Sequence, residues 1–300
     1  MRRVLLALFC VGLIIPAAAQ DLVLPAQPKS LKFAVIGDSG TGDQHQREVG
    51  RQLAAWHARF PFEFVLMVGD NMYGSDGAKD YVRKFEEPYK PLLSTGVKFY
   101  AALGNHDNPN QRFYKPFNMN GERFYSFKPS LIGGARFFAL DSNYMSPEQL
   151  EWFNKELGSS GSDWKIAFFH HPLYSSGDRH GSVLTLRDQL EPTFIKHGVN
   201  VVLTGHDHFY ERLKPQKGIE YFVVGSSAKL RRGDNTSDLT AKTYDEGYAF
   251  MLVEIEGDNL HFQTINERGV TVDKGVVRKD AATNKVIGTS GTAPRPSARP

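Results

Sequence analysis

Five apolar runs in this chain stop in the same way: a Gly or His follows, then residues carrying oxygen or imidazole donors. Phe33–Ile36 runs into Gly37-Asp38-Ser39-Gly40, Phe64–Val68 into Gly69-Asp70-Asn71-Met72-Tyr73, and Lys98–Leu103 into Gly104-Asn105-His106-Asp107. Further on, Lys165–Phe169 leads to His170-His171-Pro172, and Val199–Leu203 leads, after Thr204, to Gly205-His206-Asp207-His208. Ligands of open α/β sheets gather at the carboxyl ends of strands, so these five loops are expected to meet at one crevice. Carboxylates, an amide and neutral imidazoles there suit metal cations. Two cations about 3.5–4 Å apart clamp a phosphate, hold a bridging hydroxide as nucleophile and offset charge on the leaving oxygen. One carboxylate must then bridge them, and the glycines let the backbone come close. Singly, each motif is weak. Gly-Asp after a strand is a common turn, and two histidines two apart can be an exposed pair. The case rests on their joint occurrence.

The elements that must position these loops alternate along the chain. Apolar runs predict strands at Phe33–Ile36, Phe64–Val68, Lys98–Leu103, Arg136–Leu140, Lys165–Phe169 and Val199–Leu203. Gln44 to Phe60 reads as a helix with Val49, Leu53, Trp56 and Phe60 on one face. Ser146 caps a second helix, with Pro147 as its first residue, Gln149 completing a capping box, and Leu150, Phe153 and Leu157 facing inward. A third covers about Leu184–His197, where Pro192 predicts a kink or a late start. After Gly218 only strands follow: Glu220–Val224, Tyr248–Ile255, Leu260–Asn266 and Val270–Val277. The pattern is an α/β first part and a β-rich second part. One domain, residues 31–279, accounts for it. The polar lead at 20–30 and the tail at 280–300 lack apolar content and are expected to be flexible.

The chain has 300 residues, 41% hydrophobic and 23% charged, which suffices for one sizeable core. Its formal net charge of +3 includes Arg2 and Arg3, so it gives no reason to expect a nucleic-acid partner. Those arginines open a segment with the three parts of a secretory signal: a basic start, an apolar run Val4 to Ile15, and the small residues Pro16 to Ala19. Residues 1–19 are read as a signal peptide cut after Ala19. The run is too short to span a bilayer, and no stable membrane association is expected after cleavage. A lipid anchor on Cys10 is disfavoured by bulky Leu8 and Phe9 before it. Cys10 is the one cysteine, so the mature chain has neither disulfides nor thiolate ligands, and any metal is held by oxygen and imidazole. A periplasmic or secreted location follows from this reading.

Gly-Asp-x-Gly, Gly-Asp-x-x-Tyr, Gly-Asn-His-Asp, a strand-end His and Gly-His-x-His, in this order, resemble the calcineurin-like metallophosphoesterases. Tyr73 narrows the resemblance to the purple acid phosphatases, and the wording of the second and fifth motifs is most similar to the small, tartrate-resistant type. The motifs span Lys32 to Leu213. The resemblance implies a four-layer α/β/β/α sandwich with two mixed β-sheets. It also implies an acid phosphatase that hydrolyses small phosphate monoesters with a metal-bound hydroxide. Carried over residue by residue, it places Asp38, Asp70, Tyr73 and His208 on a ferric ion. Asp70 bridges to a divalent ion (Fe, Zn or Mn) completed by Asn105, His170 and His206. His106 faces the phosphate and leaving group, Asp107 orients it, and His180 matches a second substrate-facing histidine. A phenol ionises at neutral pH only beside a strong Lewis acid, which ferric iron is. Phenolate-to-iron charge transfer colours the family, and an acidic to neutral optimum is implied.

Other residues receive blander readings. His171 is read as a packing or loop residue, and Tyr174 either borders the pocket or packs. His45, His57, His197 and His261 are read as surface or satisfied histidines, Asp141 and Asn143 as turn residues, and Lys229, Arg231 and Arg232 as a small basic run beside Gly233, a solvated loop in the first reading with phosphate steering as the alternative. Two rival functions stand beside the monoesterase: a phosphodiesterase with the same dimetal site, and a secreted metal- or phosphate-binding protein without catalysis.

Overall fold

The computed structural model describes residues 21–129, 134–161, 163–233 and 235–292. The signal-like segment and Cys10 lie outside these residues. Three strands, β1 (Leu31–Ile36), β2 (Phe64–Val68) and β3 (Lys98–Ala102), lie parallel to one another. The next seven build a second sheet: β4 (Tyr125–Phe127), β5 (Ala135–Ala139), β6 (Trp164–Phe168), β7 (Val201–Thr204), β8 (Tyr210–Leu213), β9 (Glu220–Val224) and β10 (Thr240–Tyr244). Its order is β10-β8-β9-β7-β6-β5-β4, parallel from β5 to β9 and antiparallel at both flanks. The chain then returns to the first sheet with β11 (Ala249–Glu256), β12 (Asn259–Asn266), β13 (Thr271–Lys279) and β14 (Val286–Gly291). These add antiparallel strands beside β1, giving β14-β13-β12-β11-β1-β2-β3. The β-rich second part is thus no separate unit; it extends both sheets.

Alternation along each strand decides the layering. Phe33 and Val35, Phe64, Leu66 and Val68, Phe137 and Ala139, and Ile166 and Phe168 point between the sheets and form one buried cluster. Their neighbours point outward. Ala34, Ile36, Val65 and Met67 pack with Val49, Leu53 and Trp56 of α1 (Gln44–His57). The same outer cluster takes in Phe85, together with Tyr89 and Leu92. These follow a short α2 (Ala78–Tyr81) and a wide turn at Val82–Glu86, with Tyr89 and Leu92 in α3 (Glu87–Leu93). On the far side, Phe138, Ala167 and Val202 meet Phe153 and Leu157 of α4 (Pro147–Gly158) and Leu190 and Phe194 of α5 (Leu184–His197). Helices, sheet, sheet, helices: the four-layer α/β/β/α sandwich with two mixed sheets is the observed fold.

Several local expectations are corrected. α5 has the expected span Leu184–His197 but not the late start offered for Pro192, which it runs through before ending on Gly198 in the left-handed conformation, φ +65°. Ser146 Oγ does accept from Gln149 N at 3.1 Å, but the Gln149 side chain closes no capping box. It instead bonds the backbone N and O of Asp141. The segment 78–93 carries helix that the apolar period, broken by Pro88 and Pro91, did not signal. Residues 21–30 are held: Leu24 is buried, and Ala26 N and Gln27 N both donate to Glu254. Residues 280–292 are not a free tail either. Val286 is buried, Thr289 Oγ1 donates to Glu220 Oε2 at 2.6 Å, and Arg212 Nη2 reaches Thr292 O. A few anchors suffice to seat a polar strand at a sheet edge.

Candidate dimetal centre

The loops after β1, β2, β3, β6 and β7 converge as expected, and backbone strain marks where they meet. Asp38, Asp70 and His206 all have positive φ, at +54°, +52° and +70°. Left-handed non-Gly residues cost free energy and persist where the surroundings enforce them, often at functional sites. Gly69, at φ +94°, lets the chain turn ahead of Asp70; a Cβ there would lie 2.5 Å from the His170 ring. Asp38 N donates to Gly69 O, and Tyr73 N to Gly40 O, so the first two loops are laced together.

On one side of the site, Tyr73 Oη lies 3.0 Å from Asp38 Oδ1 and 3.3 Å from His208 Nε2. His208 Nε2 is 3.4 Å from that same carboxylate. On the other side, His170 Nε2 lies 3.0 Å from Asn105 Oδ1 and 3.1 Å from His206 Nδ1. Asp70 stands between: its Oδ1 is 3.4 Å from His170 Nε2, and ligand atoms of Asp38, Asp70 and His208 lie within 4.8 Å of one another. The structure therefore brings Asp38, Asp70, Tyr73, Asn105, His170, His206 and His208 together. Backbone donors orient them. His206 N donates to Asp38 Oδ2, and His106 N to Asp70 Oδ1. His170 Nδ1 bonds Val68 O at 3.1 Å, which leaves Nε2 as the free donor pair facing Asp70.

The electrostatics suit a cation. Burial, then the neighbouring Asp70, hold the Asp38 carboxyl well above its usual range. Burial, then Asp38 and Asp70, push the Tyr73 phenol upward. The imidazoles shift the other way. Burial and then the charge of His171 hold His170 far below its ordinary value. Burial and then His170 bring His206 to about 2, while burial and then Arg231 bring His208 to about 4. Neutral imidazoles and crowded, buried carboxylates form a donor set that positive charge between them would relieve.

His106 is exposed at the mouth, its ring centroid 4.9 Å from that of Tyr73. His180 is exposed too, its ring 4.2 Å from that of His206. Asp107 does something other than grip the His106 ring. Its carboxylate accepts from Gly104 N, Asn71 N, Asn71 Nδ2 and Met72 N, tying the third loop to the second. Burial and then Asp70 raise it to about 7. Any effect on His106 therefore runs through the backbone.

Sequence reasoning missed several supports. Asn143 Nδ2 donates to Gly104 O, and Asp141 is buried and ion-paired with Arg123 at 2.5 Å, so these residues brace the third loop as well as forming a turn. The His171 ring stands 4.5 Å from that of His206, with Nδ1 held by Ser142 Oγ at 2.8 Å, so it borders the centre. Asp207 accepts from Ser175 Oγ and Gly181 N, pinning the loop that carries His180. Each partner is tens of residues away in the chain, and the one local signal was the Asp between two motif histidines. Tyr174 packs rather than borders the pocket: it is buried, its hydroxyl on Glu191. His57 and His197 are satisfied by Phe62 O and Asn154, as expected.

Comparison with known proteins bears on the family and the fold. The chain is 26% identical over 290 residues to purple acid phosphatase 7 of Arabidopsis thaliana, covering 84% of this chain and 88% of that one. It is 27% identical over 252 residues to human tartrate-resistant acid phosphatase type 5, covering 69% and 77%. Among solved structures, GAP50, the anchor in the inner membrane complex of Plasmodium, superposes with a TM-score of 0.70 at 17% identity, covering 90% of each chain. The yellow lupin purple acid phosphatase PPD1 does so at 0.64 and 18% identity, covering 90% of this chain and 55% of that one. At such identities these structures speak for the fold alone. Residues 31–210 match the calcineurin-like phosphoesterase profile, and with the strand-end motifs gathered at one crevice, the chain belongs to that family.

Proposed function

We propose that this chain is an exported acid phosphatase that hydrolyses small phosphate monoesters at a dinuclear metal centre. One observation carries the reading: two three-residue donor groups, Asp38–Tyr73–His208 and Asn105–His170–His206, flank a single buried carboxylate, Asp70. All seven are oxygen or nitrogen donors, which fits a trivalent and a divalent ion sharing Asp70. A ferric ion would take the Tyr73 side, because a buried phenol beside two carboxylates gives up its proton only to a strong Lewis acid. Asn105, His170 and His206, with Asp70, would hold a divalent ion (Fe, Zn or Mn). Such a pair supplies Lewis acidity and a nucleophile drawn from water at neutral pH.

The chain's own residues do the rest. His106 and His180 stand at the opening, where a phosphate ester meets both; His106 delivers a proton to the leaving oxygen. Asp107 fixes the His106 loop against the Asn71 backbone, so the imidazole does not drift from the reacting group. Residues 31–292 act as one unit. The basic, apolar and small-residue pattern of residues 1–19 supports export to the periplasm or beyond, and no described helix is long and apolar enough to cross a membrane.

The test is turnover of nitrophenyl phosphate against its bis-ester by protein supplied with iron and zinc, in wild type and Asp70→Asn. The monoester is expected to be the better substrate, and the variant to lose most turnover and at least one metal. Preference for the bis-ester would move the function to a phosphodiesterase. Full activity in the variant would remove Asp70 from the bridging role.

A further inference from the structure

Lys229 and Arg231 lie on the loop after β9, in a basic run that the sequence alone reads as a solvated loop, with phosphate steering as the alternative. The structure puts them elsewhere. Lys229 Nζ stands over the Tyr73 ring, 4.5 Å from its centroid. Arg231 N donates to His208 O at 2.8 Å, so its backbone is fastened to a member of the donor cluster. The loop beyond is built rather than loose: Gly233 N and Asn235 Nδ2 both bond Asp245 Oδ2, and Arg232 Nη2 reaches Glu246 O. The Arg231 side chain is enclosed enough that its Nη1 is buried, yet that nitrogen has no hydrogen-bond partner. Its charge is felt across the mouth, lowering both His208 and His180. Among the described residues neither cation is in an ion pair. The nearby Asp207 carboxylate is already engaged by Ser175 and Gly181.

A buried guanidinium nitrogen without a partner costs free energy, and an arginine fork suits a phosphate oxygen pair. Neither cation belongs to the set that holds the scissile group. We propose that Lys229 and Arg231 form a subsite for a second phosphoryl group on the same substrate, so that the preferred ligands are compounds with two phosphoryl groups close together. This rests on the dimetal reading of the neighbouring site. Lys229 Nζ on the Tyr73 face and the Arg231 backbone fastened to His208 tie both residues to one side of that site, where a phosphoryl group beyond the scissile one would meet their positive charge.

The experiment is titration calorimetry of the metal-loaded protein with pyrophosphate, a diol bisphosphate and orthophosphate, in wild type, Lys229→Met, Arg231→Met and the charge-keeping Arg231→Lys. Binding is read directly, so an inactive protein still reports, and failure of the phosphatase reading shows separately as absent turnover. Wild type is expected to bind at least one two-phosphoryl probe more tightly than orthophosphate, and which one it favours tells an anhydride from a bis-ester. Each Met variant lowers that affinity ratio about tenfold or more, and Arg231→Lys restores part of it. A ratio that stays put in correctly melting Met variants, or equal loss for orthophosphate, overturns the subsite.

Discussion

Gly104→Ala adds one methyl group where the third loop passes Asp70. A Cβ at that position would lie 2.2 Å from both Asp70 N and Asp70 Oδ1, whereas ordinary contact begins at 3.4 Å. Asp70 or its loop must therefore retreat by about 1 Å in a close-packed interior. The retreat has little slack to draw on. Gly104 N is bonded to Asp107 Oδ2 at 2.8 Å, and Asp107 holds Asn71 and Met72 in turn. Overpacking of this size costs about 1–3 kcal/mol, a few degrees in Tm for a chain of this size, so the protein still folds. The carboxylate proposed to bridge the two metals is what moves. A displacement of ~1 Å in catalytic geometry costs on the order of 10²-fold in rate. The assay is kcat/KM on nitrophenyl phosphate with metal content by plasma mass spectrometry, with Gly288→Ala as control, since a Cβ there meets nothing within 4 Å. Full metal content with kcat/KM within about threefold of wild type would refute the reasoning.

Burial raises the Glu220 carboxyl to about 8, with Asp273 adding to the rise and the bond from Thr289 and the charge of Arg212 opposing it. A folded value above the ordinary 4.5 means that its stabilising protonation is complete below about 4.5 and is lost as pH climbs toward 8. Across that window Glu220 makes stability fall with rising pH, by at most about 1.4 kcal/mol per unit, and Glu220→Gln should flatten the slope in denaturant melts. Identical slopes in the two proteins would contradict this. Lys84 is buried, and its Nζ donates to Tyr73 O at 2.6 Å and to Ser75 O. Lys84→Met strips a charged donor from two carbonyls, and a loss of about 3 kcal/mol with faster exchange of the amides around Tyr73 is expected. Unchanged stability would show that the bonds are dispensable.

The parts of the account that were legible from sequence share one property: they depend on neighbours in the chain. Alternation in Phe33–Ile36 or Phe64–Val68 encodes two buried faces, and a Gly-Asp step at a strand end encodes the sharp turn that exposes a ligand. The helix at 78–93 escaped because Pro88 and Pro91 interrupt its apolar period while Phe85, Tyr89 and Leu92 still reach the core. The strand Val286–Gly291 escaped because its composition is that of a loop; Glu220 and Arg212, from another sheet, hold it. Lys229 looked solvated because nothing local says that Tyr73 lies beneath it. Asp207 carried no assigned role, because its two loop partners are 26 and 32 residues away.

The claim beneath all of this is that Tyr73 and six other side chains hold two metals, one of them ferric. The direct measurement is metal stoichiometry together with the visible spectrum of purified wild type and Tyr73→Phe. Two metals per chain with at least one iron, and a visible band that weakens or vanishes in the variant, is the predicted result. A band that survives intact without the phenol, or a wild-type protein that takes up no iron, would contradict it.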